Sequence, residues 1–394
     1  YKTLHQAPEL SFEESQTAAR MAQELRTLDF EVTERVGGHG VVGVLKSGDG
    51  PTLLLRADMD ALPVAEQTDL EFASKVRVRD ARGATVGVMH ACGHDVHMTN
   101  LLGTLRYLVS HRDAWQGTLV AMFQPAEERG AGAQAMLDDG LFVKFPRPDF
   151  AVALHVNAER PAGAIACLPG YAMANVDSVD IRLKGRGGHG AAPHMTIDPI
   201  LIAARLVLDL QTIVSREVKP IEPAVITVGS IHGGAKHNVI DDHCDLQLTV
   251  RSYAPEVRRL LLEAIRRKAL AAAQSAGAPE PEISVSEGTP SLYNDPELAE
   301  RLLPPLRRAL GAENVVPGEP TMGGEDFGRL GRAGAPIVML SLGAVDAERL
   351  AELKRGSAGV PSLHSPKFYP DVEPTLRAGV RAMIAVACEL LEPK

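Results

Sequence analysis

The sequence predicts an α/β fold: a mainly parallel sheet with helices on both faces, interrupted by a small ferredoxin-like α+β domain. Three observations predict it. Short runs apolar on both faces alternate with amphipathic helical patterns over most of the 394 residues, as strands joined by helical crossovers do. The middle of the chain instead holds strands of alternating polarity in the order β-α-β-β-α-β. At roughly 100–200 residues per domain, the length asks for two domains or three.

In chain order, residues 52–55 form a buried strand ending in Arg56-Ala57-Asp58-Met59-Asp60. Apolar residues at Met98, Leu101, Leu102, Leu105 and Leu108 have the three/four spacing of an amphipathic helix over 96–111. Residues 117–123 are a second buried strand, running into Gln124-Pro125-Ala126-Glu127-Glu128, and 150–155 are a third, ending at His155. In the middle, Val179, Ile181 and Leu183 alternate with Asp180 and Arg182, a strand with one solvated face. A helix over 199–215, strands over 224–230 and 244–250, a helix over 255–276 and a strand over 282–286 complete the insert. It is placed at 171–289, dividing the larger domain into 1–170 and 290–394. That domain resumes with a strand over 336–341 and a helix over 372–391. In parallel sheets the carboxyl ends of the strands carry the ligands, and the polar residues here sit at those ends.

Composition excludes several functions. The 41 Lys and Arg against 50 Asp and Glu leave a net charge of -9, the wrong sign for non-specific nucleic-acid binding. Few aromatics, 6 Tyr, 9 Phe and 1 Trp, offer no base-stacking surface. No apolar run approaches the roughly 18–20 residues that span a bilayer, so no membrane partner is expected. The first residue is Tyr1, which leaves a removed targeting segment open; the cytoplasm is the expected location. Cys92, Cys167, Cys244 and Cys388 lie far apart, neither a disulfide framework nor a zinc finger.

The densest polar cluster is Met89-His90-Ala91-Cys92-Gly93-His94-Asp95-Val96-His97. A surface turn could hold one such histidine. Three His with a Cys and an Asp, beside a glycine that lets the backbone fold tightly, point instead to thiolate and imidazole on one metal. That donor set favours a zinc-like ion, with manganese or cobalt open. Glu127 and Glu128 are adjacent carboxylates at a strand end. One can bind metal while the other carries protons, or both can start a helix. His155 and His364 are strand-end and loop histidines that could equally be core or rim residues. Together Cys92, His94, Glu128, His155 and His364 offer five donors, which suits two metal ions with open positions for water.

Other motifs have competing readings. Gly185-Arg186-Gly187-Gly188-His189-Gly190 fits G-x-G-x-x-G, but a dinucleotide fingerprint opens directly into a helix and Pro193 interrupts here. The other reading is a glycine-rich turn presenting His189 and His194. Asp60, like Asp58, could hold a ligand histidine and fix its tautomer or could cap the turn after its strand, and Glu325-Asp326 could cap the following helix or close the site. Arg251 could meet a substrate carboxylate or lie on the surface.

Taken together, these segments resemble the aminoacylase/carboxypeptidase-type dinuclear metallopeptidases, in the branch of N-acyl-amino-acid amidohydrolases such as hippurate hydrolase and the plant indole-3-acetyl-amino-acid hydrolases. The resemblance runs nearly end to end. Residues 5–10, 56–63, 89–95, 124–128, 187–194, 323–327 and 363–366 carry it. The cysteine form of the metal motif is specific to this branch.

By that resemblance the ligands of two divalent ions (Zn, Mn or Co) are Cys92, His94, Glu128, His155 and His364, and Glu127 is the general base. His189 matches an insert-domain histidine that in relatives reaches the partner's active site across a dimer, which implies a homodimer through a lid/dimerisation domain at 171–289. Asn238 matches a substrate-contacting asparagine, although Ile240-Asp241 departs from the family's usual Asn-x-Ile-Pro. Asp58 is expected beside a ligand histidine, fixing its tautomer. The implied activity is hydrolysis of N-acyl amino acids. A catalytically relict binding protein and a nucleotide-dependent oxidoreductase are the competing readings.

Overall fold

The computed structural model describes residues 1–79, 83–357 and 359–393. The chain divides into two compact units, Tyr1–Ala172 with Tyr293–Pro320 and Asp326–Lys394, and Met173–Leu292 with Thr321–Glu325.

The first unit holds a seven-stranded sheet in the order Glu31–Val36, Gly40–Ser47, Gly117–Gln124, Thr52–Asp58, Phe150–Pro161, Ile337–Val345, Ile165–Ala166. Its four inner strands from Gly117–Gln124 to Ile337–Val345 run parallel. Antiparallel strands finish both edges. Residues 53–58 are buried without a break. Because successive side chains point to opposite faces, unbroken burial means that both faces are covered. Leu53, Leu55, Phe123, Leu154 and Leu340 share one core with Leu101 and Leu105 of the helix His94–Ser110, and with Met383 and Val386 of the helix Val372–Leu390. The outer strand Glu31–Val36 has no hydropathy signal of its own. Four of the six residues in Glu31–Val36 are exposed. Gly43, in the next strand, is small because an added Cβ would lie 2.9 Å from Leu25.

The parallel register sets up the site. Asp58 stands beside Gln124, and Arg56 beside Ala153. His155, two residues further along its strand, is therefore level with Asp58, and it pairs with Ser341. The carboxyl ends of three strands thus deliver Asp58, the Gln124–Glu128 segment and His155 to one edge.

The second unit is a four-stranded antiparallel sheet, ordered Ala224–Gly233, His243–Ser252, Asn175–Lys184, Glu282–Thr289, with the helices Pro199–Arg216 and Pro255–Ser275. Val179, Ile181, Leu183, Leu246 and Leu248 pack on Leu206, Leu210, Leu261 and Ile265, while Asp180 and Arg182 face solvent. The glycine run does not open into a helix. Gly188–His189 pairs with Val239–Ile240 as a short antiparallel ribbon, and the next α-helix starts only at Pro199, capped by Asp198. The run thus leads into a ribbon rather than directly into a helix, unlike a dinucleotide fingerprint. Among the described residues, all four cysteines are free thiols, and no helix is long and apolar enough to cross a membrane.

Candidate metal centre and active site

The site belongs to the first unit, at the edge where the parallel strands end. Gly93 adopts a left-handed φ of 79° and caps the helix that begins at His94. It has a second reason to be glycine: an added Cβ would lie 2.5 Å from Val156 Cγ2. The tight turn puts Cys92 and His94 on either side of the strand end that carries His155. The loop holding His364 is tied down by His364 N–H donating to Ala91 O at 2.9 Å, and His364 itself sits at φ 69°. Ala126, just before the paired glutamates, is also left-handed at φ 50°. A non-glycine residue there costs about 1–2 kcal/mol, so surrounding bonds must hold it.

Cys92, His94, Glu128, His155 and His364 come together. Cys92 Sγ is 3.5 Å from His155 Nε2 and 3.3 Å from His364 Nε2. His364 Nε2 is 3.5 Å from one Glu128 oxygen, and His94 Nε2 is 3.8 Å from the other. Two overlapping triads result, Cys92/His94/His155 and Cys92/Glu128/His364, both sharing the thiol. Glu127 stands at the rim, its Oε2 3.9 Å from His94 Nε2.

The far side of each ring fixes its tautomer. His94 Nδ1–H donates to Asp60 O at 2.8 Å, and His155 Nδ1–H donates to Val156 O at 2.8 Å. Both rings therefore offer an Nε2 lone pair to the cluster, the arrangement in which outer partners aim metal-ligating imidazoles. His97 is different. Its Nδ1–H donates to Asp58 Oδ1 at 2.6 Å, and its Nε2 accepts from Val156 N–H at 3.0 Å. Both nitrogens are occupied, so its place in a geometric triad with Asp58 and His94 is not a ligand's.

Carboxylates hold the frame. Asp60 accepts the N–H groups of Glu127 at 3.1 Å and Glu128 at 3.0 Å, and the Ser11 hydroxyl at 2.7 Å. Glu14 accepts Ala126 N–H at 2.8 Å. Three successive amides around the left-handed residue are thus gripped by two carboxylates that burial alone would push toward neutrality. Asp58 accepts from Arg56 Nη1 at 2.8 Å, and Arg56 also reaches Gln124 at 2.9 Å and Asp326 at 3.2 Å. The other oxygen of Asp326 accepts Ala133 N–H at 2.8 Å, in the first turn of the helix Gly132–Asp138. Asp95 turns to His5 Nδ1 at 2.7 Å and to Val96 N–H.

The residues fit a divalent cation. His94 Nε2 and Glu128 Oε1 are buried with no hydrogen-bond partner, a cost that native interiors rarely bear without an ion or water. Burial pushes the Cys92 thiol well above its usual range, and Glu128, Glu127 and Asp58 add to the push. Burial also lifts Glu128 to about 7. Burial opposes charge on His94, yet Asp58 and Asp60 outweigh it and raise the imidazolium to about 10. These three shifts favour positive charge, which a bound cation supplies, while burial and the neighbouring His94 and His155 push His364 the other way.

His189 and Asn238 lie together in the second unit. Gly190 N–H donates to Asn238 O at 2.9 Å, on the ribbon that pairs His189 with Val239. His189 Nδ1 accepts from Ala191 N–H at 3.0 Å, which leaves the ring proton on Nε2. Arg251 donates to Met322 O at 2.6 Å. Sequence reasoning gave no role to Glu14, Ser11 or His97; for Asp60 it offered a hold on a ligand histidine or a turn cap, and Asp60 Oδ1 lies 3.3 Å from His94 Nδ1. Their partners are distant in the chain, and the sole prior signal is polar residues beside strand ends.

A model of peptidase family M20/M25/M40 matches residues 54–387. The chain is 37% identical to the thermostable carboxypeptidase 1 of Saccharolobus solfataricus, over 98% of this chain and 93% of that protein. It is 40% identical to the hippurate hydrolase of Campylobacter jejuni, over 82% of each. Among solved structures, a Bacillus subtilis protein described as a dinuclear metal-binding peptidase of the M20 family superposes with a TM-score of 0.82 at 32% identity, covering 100% of this chain and 96% of that one. With its parallel sheet and its convergent thiol, imidazole and carboxylate donors, the chain belongs to peptidase family M20/M25/M40, in the amidohydrolase branch.

Proposed function

We propose that the protein hydrolyses the amide bond of N-acyl amino acids, releasing a carboxylic acid and the free amino acid, at a centre of two divalent ions. The observation that carries the reading is the pair of triads sharing Cys92, with Glu127 beside them. One ion would be held by Cys92, His94 and His155, the other by Cys92, Glu128 and His364. When bound, such ions polarise the acyl carbonyl and lower the pKa of water toward neutrality. The chain supplies the rest. Glu127 takes the proton of the attacking water and returns it to the departing nitrogen. His189, with its proton on Nε2, donates to the oxygen on which charge develops during attack. Asn238, on the same ribbon, contacts the substrate. Thiolate and imidazole donors suit zinc, and manganese and cobalt are accepted by the same set.

The test is removal of metal with a chelator and restoration with zinc, manganese and cobalt singly, assayed on hippurate and a series of N-acetyl amino acids. Activity should vanish on chelation and return with at least one ion. Undiminished hydrolysis after metal removal would sink the two-ion reading. A fully loaded protein that cleaves no acyl amino acid would establish a relict binding protein instead.

Homodimerisation through the second unit is part of the proposal. The strand Ala224–Gly233 ends its sheet and exposes Ile231 at 48%, and the helix Pro199–Arg216 exposes Leu208 at 71% and Leu201 at 62%. An open strand edge beside exposed apolar side chains favours pairing with a second copy. Sedimentation should give a dimer; a monomer at full activity would remove any trans role for His189.

A further inference from the structure

We propose that His97 is a positioning residue, which acts through the backbone of Val156 to fix the direction in which His155 presents Nε2 to Cys92. The inference rests on the reading of His155 as a metal ligand. The strand Thr52–Asp58 pairs with Phe150–Pro161 only as far as Arg56 and Ala153. Past that point the longer strand lacks ladder partners on this side. His97, 1% exposed, supplies one by accepting Val156 N–H at 3.0 Å. The carbonyl of the same residue accepts His155 Nδ1–H at 2.8 Å, so Val156 is held by one histidine and holds the other. The two rings lie 4.7 Å apart.

A backbone N–H can donate to Nε2 only if that atom keeps its lone pair. The ring proton therefore stays on Nδ1, where Asp58 Oδ1 accepts it at 2.6 Å. Asp58 is in turn held by Arg56 at 2.8 Å. The line Arg56–Asp58–His97–Val156–His155 links a buried guanidinium to one donor of one triad. It bypasses Glu128 and His364, so its loss should loosen one ion of the two.

Two substitutions separate the two bonds of His97. In His97→Gln the side-chain oxygen reaches where Nε2 was and can accept Val156 N–H, while the donor to Asp58 is lost. In His97→Asn the amide reaches Asp58 but not Val156. Metal content of the holoprotein is measured after dialysis against a graded chelator, alongside thermal unfolding of the stripped protein. His97→Asn should hold one ion about 10–100-fold less tightly and the other normally, and His97→Gln should retain both. Equal retention by the two variants, or loss in Gln with retention in Asn, overturns the proposal. If Asn does not fold, Gln decides alone, since release of an ion by it has the same meaning. His155→Ala is the control. Should it keep both ions, the ligand assignment fails; if it loses one and neither His97 variant does, only the positioning role fails.

Discussion

Glu127→Gln is expected to keep both metal ions and to lose about 10²–10⁴-fold in kcat, or about 3–5 kcal/mol of transition-state stabilisation. The substitution is nearly isosteric. Its backbone N–H still reaches Asp60, as Glu127 does at 3.1 Å, so the local path of the chain is preserved. What disappears is the capacity to accept a proton and release it. KM should change little, because the loss falls on the step rather than on binding. Steady-state kinetics with metal analysis of the same sample separates the possibilities. Turnover near the unaltered rate would remove Glu127 as base. Loss of an ion would make it a ligand, a role left open by its grouping with His94 and Glu128.

The largest effect on stability is expected from Arg56→Met. The Arg56, Asp58 and Asp326 side chains are all 0% exposed. The guanidinium also donates to Gln124 and lies 5.6 Å from the centre of the Phe327 ring. Removing one partner of a buried ion pair leaves uncompensated charge, at about 3–5 kcal/mol. Met fills much of the volume, so the loss reports charge rather than a cavity. Arg56→Lys should fall between, because an ammonium cannot fork to Asp58, Gln124 and Asp326 together. Urea unfolding of the three proteins gives the order. A Met variant as stable as the parent would show that this network carries no net stability.

The parallel strands were legible because residues such as Leu53, Leu54 and Leu55 are apolar on both faces, which only a doubly covered sheet requires. The strands Glu31–Val36 and Gly40–Ser47 were not, because the first is mostly solvated and the second is interrupted by glycine. The segment from His90 to His97 advertised itself by density. His155 and His364, each alone in an ordinary context, were legible only as members of a set of five donors, the same set that the family resemblance implies. Partners were harder still. Glu14 lies 112 positions from Ala126, and no local pattern announces a bond of that span. Asp326 looked like a local cap, and its bond to Ala133 N–H spans 193 positions.

Asp60 ties the amides of Glu127 and Glu128 to one carboxylate. In the proposed mechanism, proton carrier and ligand are therefore one mechanical part. On that proposal an ion that drew Glu128 inward would also swing its neighbour, so exchanging zinc for manganese would change the aim of the proton acceptor as well as the acidity of the water. Rates compared across metals would then measure a geometry and an electronic effect at once, and only a variant that cuts the tether at Asp60 could tell them apart.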